Sequence, residues 1–184
     1  MSMQPKVRMT ADEFLVWAEG QPGRHELADG EVFSMSPERV RHAVTKFAAQ
    51  TALRDAIRIC GVPCEMLPDG LSVRVDEQTV FEPDALIHCG GRLDPDAMTV
   101  PEPLIVVEVL LPSTKQVDTG FKFLGYFRLP SVQHYLILDT ERRTVIHHRR
   151  GASDSIETRI AASGDLSLDP PGLTLPVAAL FAEP

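Results

Sequence analysis

The run Leu104-Ile105-Val106-Val107-Glu108-Val109-Leu110-Leu111 is apolar at every position except Glu108. A strand with one solvated face alternates apolar and polar residues, whereas a near-continuous apolar run is expected where both faces of a sheet are covered. The stretch therefore predicts the central strand of an α/β protein, a mixed sheet flanked by helices. It falls far short of the roughly 20 apolar residues that a membrane-spanning helix requires. A carboxylate inside such a strand costs several kcal/mol unless something compensates it. The residues leave two compensations open: a buried arginine or lysine, or a metal ion that gathers several carboxylates.

Upstream, Pro83-Asp84 precedes the apolar segment Ala85-Leu86-Ile87, which places Asp84 where another strand enters the sheet. Adjacent strands would bring Asp84 and Glu108 together. Two close carboxylates repel each other unless a proton or cation lies between them, and a divalent cation there could also bind a phosphate and an attacking water. Taken singly, Asp84 also reads as a strand-end acid that accepts backbone hydrogen bonds.

Working outward, Thr10 and Glu13 have capping-box spacing, followed by a short helix ending near Gly20. His25 to Ala28 and Glu31 to Met35 flank Asp29-Gly30, which favours the positive backbone angles of a tight hairpin. Ser36-Pro37 offers an N-cap for a long helix closed by Gly61, with Val40, Val44, Phe47 and Ile57 as its apolar side. Three strands are expected between Val62 and His88. Asp118 caps a helix running from Thr119 to about Leu129, and Val132 to Leu138 and Thr144 to His148 form a further strand pair. Beyond Gly151, peripheral strands and a final helical turn are expected, the whole being helices packed against one mixed sheet.

The 184 residues suit one domain, 1–184, in which roughly 70% of the unfolded surface becomes buried and residues 1–9 form a loose start. That start lacks the apolar stretch of a signal peptide. Cys60, Cys64 and Cys89 are an odd number without an export signal, so reduced, buried structural thiols in a cytoplasmic protein are expected. Cys60 and Cys64 lie near the spacing of a zinc half-site, but no matching second pair follows. A net charge of −8 argues against binding nucleic acid by wide phosphate neutralisation, so any such contact must be local.

The ordered set His25-Glu26-Leu27-Ala28-Asp29-Gly30-Glu31, His42, Pro83-Asp84, Glu108-Val109-Leu110-Leu111-Pro112-Ser113-Thr114, Asp118, Lys122 and Tyr126 resembles the Uma-type family, described as "putative restriction endonucleases", of the PD-(D/E)XK superfamily. The resemblance covers nearly the whole chain and implies a restriction-endonuclease-like core. By it, Asp84 and Glu108 match the metal-binding acids, with Mg²⁺ or Mn²⁺ as cofactor and nucleic acid as substrate; DNA is expected ahead of RNA, although the residues do not decide between them. Leu110 stands where many relatives carry lysine. The pattern instead resembles branches whose lysine has moved to the following helix, which makes Lys122 the candidate; the residues alone read Lys122 as solvated. The resemblance also implies Glu26 as a further acid, with cross-strand salt bridging as the alternative. His42 reads either as a proton carrier or phosphate contact facing the cleft, or as a surface histidine. Ser113 shapes the loop beyond the central strand, and Leu111 replaces the family's usual serine.

Other chemistries fit less well. No GxSxG-type elbow surrounds Ser113, and Gly120 to Gly125 lacks the order of a phosphate loop. His147 to Arg150 is the most basic stretch and reads as a phosphate contact or an exposed strand end. Two functional classes remain: a metal-dependent endonuclease, and a non-catalytic binding or assembly module that retains the same core. A symmetric homodimer is expected from the prevalence of such assemblies.

Overall fold

A computed structural model describes residues 8–110 and 118–181. Helix α1 (Ala11–Glu19) starts at the expected capping box, with the Glu13 N–H donating to Thr10 Oγ1 at 3.3 Å and the Thr10 N–H donating to Glu13 Oε2 at 2.8 Å. Strands β1 (His25–Ala28) and β2 (Glu31–Ser34) form the hairpin, and Asp29 and Gly30 take φ of 49° and 78° as a type I′ turn demands.

Helix α2 (Val40–Cys60) ends at Gly61 in the left-handed region, but it begins at Val40 rather than at Ser36-Pro37. Its start is set later because Met35 pairs by its N–H with the Arg24 carbonyl, and Glu38 is held by Arg24 and Lys46. The apolar side expected from Val40 and Phe47 is also corrected, since they are 80% and 59% exposed. The buried face carries His42, Lys46, Ala49, Leu53 and Ala56 instead. Its first half is polar because it borders a cleft; its second half is small and apolar because it packs on the sheet.

Four strands, not three, follow: β3 (Glu65–Pro68), β4 (Val73–Asp76), β5 (Thr79–Phe81) and β6 (Ala85–His88). Then come β7 (Pro103–Leu110), α3 (Asp118–Arg128), β8 (His134–Asp139), β9 (Thr144–Arg150) and β10 (Ile156–Ala161). A hairpin of β11 (Asp165–Leu168) and β12 (Leu173–Pro176) leads into a final 3-10 turn, Val177–Phe181. The single sheet expected is divided. A six-stranded mixed sheet has the order β10-β9-β8-β7-β6-β3, while β2-β1-β5-β4 form a second, antiparallel sheet. Among the named strands only β7 and β8 pair in parallel, consistent with the α3 crossover between them.

The reading of β7 as an interior strand holds. Ile105, Val107 and Val109 join the core under α2, and Val106 joins the opposite core containing Tyr126 of α3. By the two-residue period of a strand, Glu108 shares the α3 face with Val106. The segments expected to be peripheral contribute more than edges, since Leu166, Leu168, Leu173 and Leu175 all enter the α2-side core.

Cys64 and Cys89 form a disulfide, which corrects the expectation of reduced thiols, and Cys60 is exposed rather than buried. The β3–β6 register pairs Glu65 with His88, so the next positions outward bring the two cysteines to a Cα separation of 4.1 Å. The basic stretch is mostly structural. His147 is buried, and the Arg150 guanidinium donates to the carbonyls of Phe127, Leu129 and Val132 at 2.9–3.0 Å around the end of α3. No helix among the described residues is long and apolar enough to cross a membrane.

The docking of α3 depends on Gly125, where an added Cβ would stand 2.5 Å from the Phe81 ring. An Ala-for-Gly change inside a helix ordinarily stabilises by about 1 kcal/mol. Here overpacking against a buried ring reverses the sign, and Gly125→Ala is expected to destabilise by about 1–3 kcal/mol in urea denaturation.

A second expectation concerns the buried pair His134 and His147. His134 Nε2 lies 3.0 Å from the Pro170 carbonyl, so it carries the proton and donates, leaving Nδ1 to accept from His147 Nε2 at 2.9 Å. Burial pushes each imidazole down to about 4. The unfolded chain therefore binds more protons than the folded one between roughly pH 6.5 and 4. Stability from the pair is fully present above about pH 6.5 and is lost as the pH falls towards 4. In His147→Gln, which keeps a donor but cannot titrate, the pH slope of unfolding over that window should fall by about one proton.

Candidate active site

The β6–β7 register pairs Ala85 with Val107, so the next position outward sets Asp84 opposite Glu108. Residues opposite each other on neighbouring strands share a face, which brings the two predicted acids together as adjacent strands should. Asp84 is 4% exposed; its Oδ2 accepts the Val109 N–H at 2.7 Å and lies 3.5 Å from His42 Nε2. Its carbonyl accepts from the Gln50 amide at 2.9 Å. Burial pushes the Asp84 carboxyl up, but the hydrogen bond and charge of His42, the Val109 N–H and the Lys46 charge hold it below its ordinary value.

Glu108 is compensated by a base. Lys122 Nζ lies 3.0 Å from Glu108 Oε1 and 2.8 Å from Glu26 Oε1, and the Tyr126 hydroxyl donates to Glu108 Oε1 at 2.8 Å. Lys122 and Tyr126 are four residues apart, so both project from one side of α3 onto the same oxygen. Lys122 is thus buried rather than solvated. Burial pulls its pKa down, but Glu108 and Glu26 overcome that and hold it well above its usual value. Burial, countered by Lys122 but reinforced by Asp84 and Glu26, pushes the Glu108 carboxyl up to about 8. Lys122 therefore stays charged between the two acids, and burial makes Glu108 harder to ionise than an ordinary carboxyl.

Glu26 enters from β1, and its Oε1 also accepts the Glu82 N–H at 2.8 Å. Its partner is the cross-element Lys122 rather than a residue of its own hairpin. His42 faces inward and is 6% exposed, so the surface alternative is set aside. Its Nε2 lies 2.9 Å from the Val109 carbonyl and its Nδ1 3.5 Å from Glu38 Oε2. Burial lowers the His42 pKa, but Asp84, Glu38 and the Val109 carbonyl raise it above the ordinary value. Ser113, Leu111 and the capping side chain of Asp118 lie outside the described residues.

A cleft of about 920 Å³ opens over these groups. Its other wall is an ion-pair network that the sequence reading missed. Arg24 reaches Glu82 at 2.5 Å, Glu38 at 3.0 Å and Asp69 at 3.1 Å, while Lys46 pairs with Glu38 and, at 2.8 Å, with Asp69. One signal was visible: His42, Lys46 and Gln50 recur every four residues, which puts polar side chains on one helical stripe, and Glu38 continues that spacing just before the helix starts. Arg24, Asp69 and Glu82 carry no such pattern.

A central mixed sheet with flanking helices, and a cleft at one end of two neighbouring strands, define the chain as a mixed α/β protein. It superposes with a TM-score of 0.74 on the crystal structure of "a putative nuclease belonging to DUF820" from Anabaena variabilis, at 16% identity, covering 94% of this chain and 97% of that one. The chain belongs to the Uma2 family, whose model, described as "Putative restriction endonuclease", matches residues 11–178. Among its relatives are two uncharacterized proteins of Synechocystis sp. One, slr1290, is 28% identical over 179 residues, 96% of this chain and 93% of that protein. The other, sll1609, is 25% identical over 145 residues, 77% and 81% of the two chains. The family's description supports a nuclease function.

The ion pair at Lys122 yields a stability prediction. In Lys122→Met the carboxylates of Glu26 and Glu108 lose their shared cation, and removing one partner of a buried pair costs about 3–5 kcal/mol. Urea unfolding in EDTA should show that loss.

Proposed function

We propose that this chain is a metal-dependent endonuclease that hydrolyses phosphodiester bonds in DNA, with Asp84 and Glu108 holding Mg²⁺ or Mn²⁺ and Lys122 assisting. The observation that carries this reading is the placement of Asp84 opposite Glu108 at the cleft, with a lysine against Glu108. The donor set fits such an ion. Carboxylate oxygens are the hard ligands that Mg²⁺ and Mn²⁺ prefer. Seven carboxylates face four lysine and arginine side chains around the cleft. That negative excess repels a bare phosphodiester and attracts a dication.

When bound, such an ion supplies an activated water and stabilises charge on the phosphate. The protein's own groups are arranged to hold the rest. Tyr126 fixes the orientation of Glu108 by its hydrogen bond to Oε1, and the Val109 N–H fixes Asp84 through Oδ2. Lys122 keeps Glu26 as a partner when Glu108 turns to a cation, so its ammonium stays charged and still has N–H donors for a phosphate oxygen or the attacking water. The description of the family as restriction endonucleases supports DNA as substrate. Cutting both strands would call for two such sites, which a symmetric homodimer supplies.

A second reading has one observation in its favour. Lys122 and Tyr126 already compensate Glu108 without any ion, as a non-catalytic module keeping the core would require. Calorimetric titration of EDTA-stripped protein with Mn²⁺ separates the two. Wild type should bind; Asp84→Ala and Glu108→Ala should each weaken binding at least tenfold and abolish Mn²⁺-dependent nicking of duplex DNA. Wild-type protein that binds no Mn²⁺, with or without DNA present, would sink the hydrolytic reading.

A further inference from the structure

Two exposed phenylalanines line the cleft without joining either of its charge networks: Phe33 is 52% exposed and Phe121 is 37% exposed. In the β1–β2 register Phe33 stands opposite Glu26, so the two side chains share a face, and from that face Glu26 reaches Lys122 at 2.8 Å. By the two-residue period of a strand, Glu31 and Met35 lie in the same row as Phe33, and both line the cleft. Val32 points the other way and packs with Phe14 and Leu27. A face that met only solvent would carry polar residues, yet the edge strand β2 sets an aromatic ring on its cleft side. Phe121 adjoins Lys122 in α3 and is held from behind, its ring packed edge-on against buried Phe81 with centroids 5.8 Å apart. One ring is thus fixed beside the Lys122 ammonium, and the other stands one strand beyond the Glu26 that holds it.

Charge says what such rings can hold. The chain carries a net charge of −8, and acidic side chains outnumber lysines and arginines along the cleft. A polyanion entering it gains little from counterion release and needs another source of affinity. Stacking of bases on aromatic rings supplies one, independently of sequence, because every base has a π-face. A base inside an intact duplex is covered on both faces by its neighbours, so only an unpaired or extruded base can make that contact. A protein partner fits less well, since the core of a protein interface is depleted in charge and these rings adjoin Glu26, Glu31 and Lys122.

We infer that Phe33 and Phe121 are stacking platforms for unpaired bases, so that the cleft takes a single strand, or a strand opened locally within a duplex, ahead of a fully paired duplex. The inference rests on the hydrolytic reading for what happens at the phosphate and deepens it by naming the form of the nucleic acid; its own readout is binding.

The test is fluorescence anisotropy of the full-length protein with fluorescein-labelled DNA of about 16 nucleotides, the upper end of the site size of a stacking groove. Ca²⁺ replaces Mn²⁺, and gel electrophoresis checks that the strands stay intact. The DNA is offered as a single strand, as a fully paired duplex and as a duplex with a central unpaired bubble. Wild type should bind the single strand and the bubble at least about tenfold more tightly than the paired duplex. Phe33→Ala and Phe33→Leu should each weaken single-strand binding by at least about fivefold, the size of one lost stacked base, while Phe33→Tyr stays within about twofold of wild type. Leucine keeps apolar bulk and loses the π-face, which separates stacking from mere burial. In Phe33→Trp the single strand should quench indole emission beyond any change seen at Trp17 in the wild type. Phe33 sits on an exposed edge, so these changes carry little risk to folding, and circular dichroism checks each variant. Phe121→Ala should weaken single-strand binding in the same direction. Equal affinity for paired and unpaired DNA, Phe33→Leu within about twofold of wild type, or no binding of any form would overturn the inference. So would a dimer lost in Phe33→Ala with strand binding unchanged, which would assign the ring to a subunit contact. Mn²⁺-dependent nicking without the preference for unpaired DNA would sink this inference alone, whereas stacking without cleavage of any form would sink only the hydrolytic reading.

Discussion

The ammonium of Lys122 lies between two buried carboxylates from different parts of the fold, Glu26 on β1 and Glu108 on β7. One side chain of α3 thereby joins the small antiparallel sheet to the large mixed sheet. Desolvating three charges is costly, and none of them persists in the interior unless the others are held in place. The arrangement in turn requires β1 to be docked by its pairing with β5, and β7 to be interior. It also requires α3 to lie close enough for a lysine stem to reach. Most of the chain's tertiary order is a precondition of this contact, which makes the site and the fold a single electrostatic problem.

The cleft divides its charge into two settings. On the α3 side Glu108 faces Lys122 and Tyr126 and is pushed towards its protonated form by burial. On the α2 side Asp84 faces His42 and Lys46 and is held ionised. Two acids on neighbouring strands are thus pushed in opposite directions because the helices covering them present different bases. Such divergence between paired titratable groups is the arrangement expected where a site must hold charge and move protons at one pH. The negative excess around the cleft is not spread evenly, since one of the paired acids is favoured in its ionised form and burial disfavours ionisation of the other.

What the sequence made legible follows the range of the interactions. The hairpin at Asp29-Gly30, the capping box at Thr10 and the closure of α2 at Gly61 are set by residues within four positions of each other, and each was visible. The interior strand was visible because a covered sheet imposes an uninterrupted apolar run. Asp84 and Glu108 were visible because each is a charge in apolar surroundings. The face of α2 was misread because its buried stripe is polar where it borders the cleft, so Val40 and Phe47 gave the stronger but false signal. Arg24 and Glu82 lie 58 residues apart, and nothing local marks either as the other's partner. The disulfide depended on the β3–β6 register, which cysteine counting cannot supply.

Lys122 sits between these extremes, and its case turns on a residue without a side chain. An ordinary helix lysine reads as solvated, and only an unusually close approach of α3 to the sheet converts it into a buried one. Gly125 permits that approach by letting the Phe81 ring fill the space of a missing Cβ. Phe81 then packs edge-on against Tyr126 with centroids 5.2 Å apart, and the Lys122 ammonium lies 5.8 Å from the same ring. The glycine whose spacing rules out a phosphate loop is therefore the one that lets α3 bring both of its polar groups onto Glu108. Backbone proximity at one helix position decides whether the central carboxylate is compensated, and no chemistry-bearing motif in the sequence records it.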